Sequence, residues 1–237
     1  MAAAGVFQQP ARLRRNNWVR LKVDRYANDE YRAEAFALGP FELSRYPVTV
    51  EEFRQFVENG SYDDSEYWNA GGFGQWQLPE DWEEQKLHPN RPVVGVNWYE
   101  AAAYCRWKGT RLPSMSEWER AAGVFSGRRY PWGYDPPHRS LLNFNGMVGH
   151  PTPVGLYPLS ATPEGVLDLA GNVWEWLADG YEDEVSRVLR GGSWVEGEWS
   201  LRSAVKGRLS LLERRRDFGF RCARDVQGPV PPDSRDW

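Results

Sequence analysis

The sequence predicts an α+β fold: a few short helices and short antiparallel strands joined by much irregular loop. Three observations predict it. First, the 237 residues include 13 Trp, 17 Pro and 23 Gly, so large aromatics build the core while turn-formers interrupt almost every run. Second, 41% of the residues are hydrophobic, enough for one substantial core in a chain whose length suits a single large domain. Third, helix-capping patterns recur ahead of short amphipathic stretches, with brief alternating apolar runs elsewhere.

Taken in order, residues 1–17 read as a flexible leader. "WVRLKVDRY" and "AEAFALGPFELSRYPVT" alternate like two or three strands. Thr49 and Glu52 form a capping box, Phe53, Phe56 and Val57 follow at helical spacing, and Gly60 closes that helix. The polar stretch from Ser61 to Pro92 carries Trp68, Trp76 and Trp82 and reads as an ordered loop pinned by aromatics. A second helix starts at Asn97, with Glu100 at the third helical position, and ends at Gly109. Ser114 and Glu117 repeat the capping box for a third, which ends at Gly123. The chain then becomes turn-rich, with strands expected near Arg187–Ser193 and Phe218–Arg224. Residues 226–237 are Pro-rich and read as a disordered tail, which leaves 18–225 as one domain.

Several functions are excluded by count. The formal net charge of −4 gives no bulk attraction for nucleic acid. No apolar run approaches the ~20 residues of a membrane span. In "MAAAGVFQQPARLRRNN" the basic residues follow the apolar ones, the wrong order for a secretory signal, so a cytoplasmic protein is expected. Two cysteines, Cys105 and Cys222, exclude a disulfide framework and a four-thiolate zinc site. His88, His138 and His150 lie far apart, with no HxxxH or HExxH pair. No GxSxG, P-loop or GxGxxG string is present.

The strings "RLPSMSEWERAAG", "YPWG", "GLYP", "DLAGNVWEW", "RVLRGGSW" and "GFRCARD" occur in that order. Together with "RYPVTVEEFRQFV" and "PVVGVNWYEAAAYCRW" they resemble the formylglycine-generating-enzyme/sulfatase-modifying-factor (FGE-sulfatase) domain, a branch of the C-type lectin fold. The resemblance covers about Trp18 to Arg224. It implies that Cys105 and Cys222 are neighbours in space. It also implies calcium held by side-chain and backbone oxygens, and Asn143, Asn172 and Glu175 match that pattern. In the residues themselves, Trp174, Trp176 and Trp194 read as core aromatics. Asp168, Asn172 and Glu175 read as polar groups that satisfy loop backbone.

The enzymes of that family oxidise a substrate cysteine with copper held by two thiolates. Here Glu196 stands where the first cysteine would be, and Trp199–Leu201 surround the second. A second branch, the iron sulfoxide synthases, needs three histidines and usually an extra helical domain that carries one of them; the histidines here match no such pattern. No catalytic residues are therefore expected, and no cofactor unless calcium.

What remains is the segment between Gly191–Trp194 and Gly219–Arg221. It resembles the variable proteins of diversity-generating retroelements, in which Leu201–Ala204, Lys206, Arg208 and Arg214 would be scaffold. The expectation is a non-catalytic protein that binds a protein or other macromolecular ligand through residues 195–217, on one outward patch. Its binding residues would be Val195, Glu196, Glu198, Trp199, Val205, Gly207, Leu209, Ser210, Arg215, Arg216 and Asp217, with Trp and Arg the favoured anchors. The alternative is an FGE-sulfatase-like sensor or partner module, or an oxidase-like enzyme whose chemistry the motifs do not reveal.

Overall fold

The computed structural model of the chain describes residues 17–22, 25–26, 36–180 and 185–226. The expected leader and tail lie outside these, apart from Asn17 and Val226. Three sheets organise the described residues. In the first, β1 (Trp18–Leu21) and β9 (Ala223–Asp225) flank β4 (Phe41–Ser44), all antiparallel, with Leu21 opposite Phe41 and Leu43 opposite Ala223. The second is the two-residue pair β2 (Arg25–Tyr26) and β3 (Phe36–Ala37). The third has the order β7-β6-β5-β8, from β5 (Trp174–Gly180), β6 (Ser186–Arg190), β7 (Lys206–Ser210) and β8 (Phe218–Gly219). Its β5–β8 pair is parallel, an exception to the antiparallel expectation.

The helices form where the caps predict them. In α1 (Val50–Glu58) both halves of the Thr49–Glu52 capping box are made. The same holds for Asn97 and Glu100 in α3 (Trp98–Trp107), and for Ser114 and Glu117 in α4 (Met115–Ala122). Gly123 ends α4 in the left-handed region at φ +78°, a conformation that costs a residue with a Cβ more than it costs glycine. The expected loop from Ser61 to Pro92 contains one further helical turn, α2 (Trp82–Gln85). Trp82 is buried, and the Gln85 side chain donates to the carbonyls of Glu80 and Val94 while accepting from the Val94 N–H. One buried indole and one saturated amide thus do the work of a longer helix.

Behind these elements lie two large apolar clusters. In one, Phe53 stacks on Tyr104 with centroids 5.3 Å apart and meets Trp82 and Phe220 edge-on. In the other, Leu21, Leu43, Trp118, Leu177 and Val188 pack together. Each such large side chain contributes about 1.5–3 kcal/mol by leaving water. Cys105 of α3 and Cys222 meet inside the first cluster, Sγ to Sγ 3.3 Å, which places them together as the resemblance implied. Among the described residues, no helix is long and apolar enough to cross a membrane.

Candidate functional site

The segment after β6 is held from both ends. Gly191 and Gly192 adopt φ +98° and +70°, and a Cβ on Gly192 would lie 2.9 Å from the Ser200 carbonyl oxygen. Close backbone approach and positive φ both require glycine here. Downstream, the Ser193 hydroxyl donates to Asp217 at 2.8 Å, and the Trp174 N–H donates to the Asp217 carbonyl. Arg214 grips the buried Glu100 with two donors, at 2.9 and 2.5 Å, and the Tyr62 hydroxyl donates to the same carboxylate at 2.6 Å. Burial pushes the Glu100 pKa up, against the pull of Arg214 and Tyr62.

The expected single outward patch breaks into two populations. Val195, Glu198, Trp199, Arg215 and Arg216 are exposed, Trp199 by 64%, and Glu196 and Ser210 are half-buried. Val205, Gly207 and Leu209 point the other way, as a correction to that expectation. Val205 and Leu209 pack against the core cluster, and a Cβ on Gly207 would touch Leu189 and Trp174. The cause is the two-residue period of β7, which pairs in full register with β6 and turns Lys206 and Arg208 to solvent instead. Asp217 is a second correction, since it is buried and consumed by Ser193 and Arg215.

Glu196 is half-buried and Leu201 fully buried at the thiolate-equivalent stretch, so nothing there suits copper. Asn143, Asn172 and Glu175 are all buried, but they form two separate networks. Asn172 exchanges hydrogen bonds with the backbone of Thr152, and Asn143 donates to the His150 carbonyl. Of these three residues, Asn143 carries a buried oxygen without a partner, Oδ1. Glu175 cannot join it, because Arg221 takes both its oxygens at 2.7 Å and the Trp118 indole N–H donates to one of them at 2.8 Å. A calcium ion at Glu175 would face a guanidinium, so that residue does not fit the expected role. Among the described residues, no group of three or more His, Cys, Asp or Glu is placed to hold a metal.

The feature that sequence reading missed is a cavity of about 190 Å³ beside Trp194. Its walls come from α1, from the α2 segment with Glu80, Asp81, Glu84 and His88, and from Arg91, Pro92, Val94 and Gly95. The loop with His150, Trp194 and Arg216 completes it. His88 lies 3.7 Å from Glu84, and Arg91 lies 3.5 Å from His150. Of these residues only Arg216 stood among the expected binding residues. The only local signals were histidines beside prolines and a Trp that reads as ordinary core.

Comparison with known proteins now adds to this geometry. Residues 4–226 match the FGE-sulfatase family, described as a sulfatase-modifying factor enzyme 1-like domain. The chain is 30% identical to the hercynine oxygenase of Mycolicibacterium smegmatis over 84% of this chain and 56% of that protein. It therefore spans little more than half the length of that relative. The inactive C-alpha-formylglycine-generating enzyme 2 of Mus musculus is 32% identical over 83% of this chain and 79% of its own length. Among solved structures, PvdO from Pseudomonas aeruginosa superposes with a TM-score of 0.65 at 21% identity, covering 88% of this chain and 94% of its own. Treponema denticola variable protein 1 gives 0.63 at 19%, covering 88% and 95%. At such identities these two show the shared C-type-lectin-like fold alone. Relatives named as oxygenases overturn the expectation of a non-catalytic binding protein. The missing thiolates excluded one metal centre, not catalysis.

Proposed function

Because the chain belongs to the FGE-sulfatase family of sulfatase-modifying-factor-like domains, we propose that it is the FGE-sulfatase portion of an oxidising enzyme of the hercynine-oxygenase kind. The observation that carries this reading is identity of 30–31% with three hercynine oxygenases across 84–90% of this chain. The cavity beside Trp194 supports it. A concave, largely apolar chamber with a few convergent charged groups is the common form of a small-molecule site. There the chain's own residues bind and orient: Arg216 attracts an anionic group and the Trp194 wall excludes water. The described residues supply this surface, and among them no group of three or more His, Cys, Asp or Glu is placed to hold a metal.

The test is oxygen uptake by the chain given hercynine, cysteine and ferrous iron, with calorimetric binding of hercynine measured in parallel and products read by mass spectrometry. Hercynine-dependent uptake, or saturable hercynine binding without uptake, supports the reading. Absence of both overturns it.

A further inference from the structure

We infer that a second hollow, beside α3, is a binding site for a small aromatic monoanion: a flat apolar body that carries one carboxylate. The hollow shares no wall residue with the cavity beside Trp194, and its assignment does not depend on the oxygenase reading.

Its shape follows from the sequence of α3. Trp98, Ala102 and Arg106 recur at every fourth residue, so they share one face of the helix. Ala102 is too small to fill the space between a Trp and an Arg, and Ala178 of β5, also in the wall, is equally small. About 270 Å³ is left open. A cavity of about 150 Å³ accepts benzene, so this one has room for a second ring. Trp98, Ala102, Leu112 and Ala178 supply apolar surface. Trp98 is held in place, because its indole N–H donates to the Leu177 carbonyl at 2.8 Å and the Arg187 guanidinium lies 4.4 Å from its ring centre. A ring already fixed loses little freedom when another flat ring packs on it.

Charge selects the rest of the ligand. No Asp or Glu lines the hollow, although the chain carries a formal net charge of −4. Of the two guanidinium groups in the wall, Arg111 is committed to the fold: Glu117 accepts from it at 2.7 and 2.6 Å, and Asp225 at 2.5 Å. Arg106 is not. It is exposed, and among the described residues no carboxylate forms an ion pair with it. Its Nε donates to the Glu66 carbonyl at 2.8 Å, which leaves the two terminal nitrogens to meet the two oxygens of a carboxylate. Asn69, also in the wall, is exposed, and its amide has no partner among the described residues; it can donate to the same anion. A cation would meet two guanidinium groups and no carboxylate. A neutral ring would leave Arg106 unanswered, and a dianion would find one uncommitted guanidinium for two charges.

The experiment titrates the chain with 2-naphthoate, 2-naphthylmethanol and 2-naphthylmethylamine by calorimetry. These share two fused rings and differ in charge. 2-Naphthoate is expected to bind at a single site, at least tenfold more tightly than the alcohol or the amine. Arg106→Gln should weaken 2-naphthoate fivefold or more. Ala178→Leu, which fills the hollow, should do the same without touching the charge. Arg216→Gln, at the cavity beside Trp194, should leave the affinity unchanged. All three positions are exposed, so the variants are expected to fold, and unchanged thermal unfolding verifies it. Absence of saturable 2-naphthoate binding, equal binding of the acid and the alcohol, or indifference to Arg106→Gln and Ala178→Leu overturns the inference. So does a loss in Arg216→Gln that matches the loss in Arg106→Gln, which would put the anion in the other cavity.

Discussion

Replacing Glu175 with Gln tests the most deeply buried ion pair among the described residues. Arg221 and Glu175 are both fully enclosed, at 0% side-chain exposure. The Arg221 guanidinium donates twice to Glu175 and also to the carbonyls of Ser44, Arg45 and Leu167. Glutamine has nearly the same shape but turns an NH₂ toward the guanidinium and leaves its charge without a counter-ion. Breaking one side of a buried pair costs about 3–5 kcal/mol. At about 2–4 °C per kcal/mol for a domain of this size, Tm should fall by roughly 6–20 °C. Scanning calorimetry and urea unfolding at pH 7.5 measure it, with the urea slope unchanged. Glu175→Leu combined with Arg221→Met should recover only part of the loss, because Met leaves three carbonyls unanswered. A loss below about 1 kcal/mol would refute the reasoning. So would a chelator that lowers the wild-type Tm by the same amount as the substitution, since that would restore Glu175 to a metal.

Three further outcomes are expected. Gly192→Ala should destabilise by about 1–3 kcal/mol in urea, since it combines a strained φ with a methyl group 2.9 Å from the Ser200 oxygen. Burial pushes the Asp168 carboxyl from 3.8 up to about 6, the Gly155 N–H opposing at 2.6 Å. The folded-state pKa exceeds the unfolded one, so stability present below pH 3.8 is lost as pH rises through about 6. Asp168→Asn should remove that loss, worth about 3 kcal/mol, in urea titrations from pH 4 to 7.5. Burial, with Cys222 beside it, pushes the Cys105 thiol up. Both cysteines are buried, so iodoacetamide should spare them in the native protein and modify them in urea, as mass spectrometry will report.

How much of this was legible depended on the range of the interactions. Capping boxes are closed within four residues, so Thr49, Asn97 and Ser114 announced their helices correctly. The helical turn at Trp82 was not announced, because it depends on Gln85 reaching Val94. β7 was not announced as a strand; its pairing with β6 sets Gly207 against Leu189 and Trp174 and turns Leu209 toward the core cluster. Asp217 looked like a surface charge because its partner, Ser193, is remote in sequence. The cavity was invisible for the same reason, as its walls come from α1, from near residues 80–95, from 149–151, and from Trp194 and Arg216. The absent thiolates were read correctly as residues and too broadly as function.

The pairing of β9 with β4 has a consequence for how the protein is made. The chain's first sheet is completed by Ala223 lying against Leu43, so a ribosome must deliver nearly everything between them before β4 gains its second neighbour. Until then β4 offers an unpaired edge to any other nascent chain, and closure waits on one of the longest-range contacts the topology contains. Folding of this domain should be a slow, late event that leans on chaperones, and truncation just ahead of Ala223 should yield aggregate, not a smaller native protein.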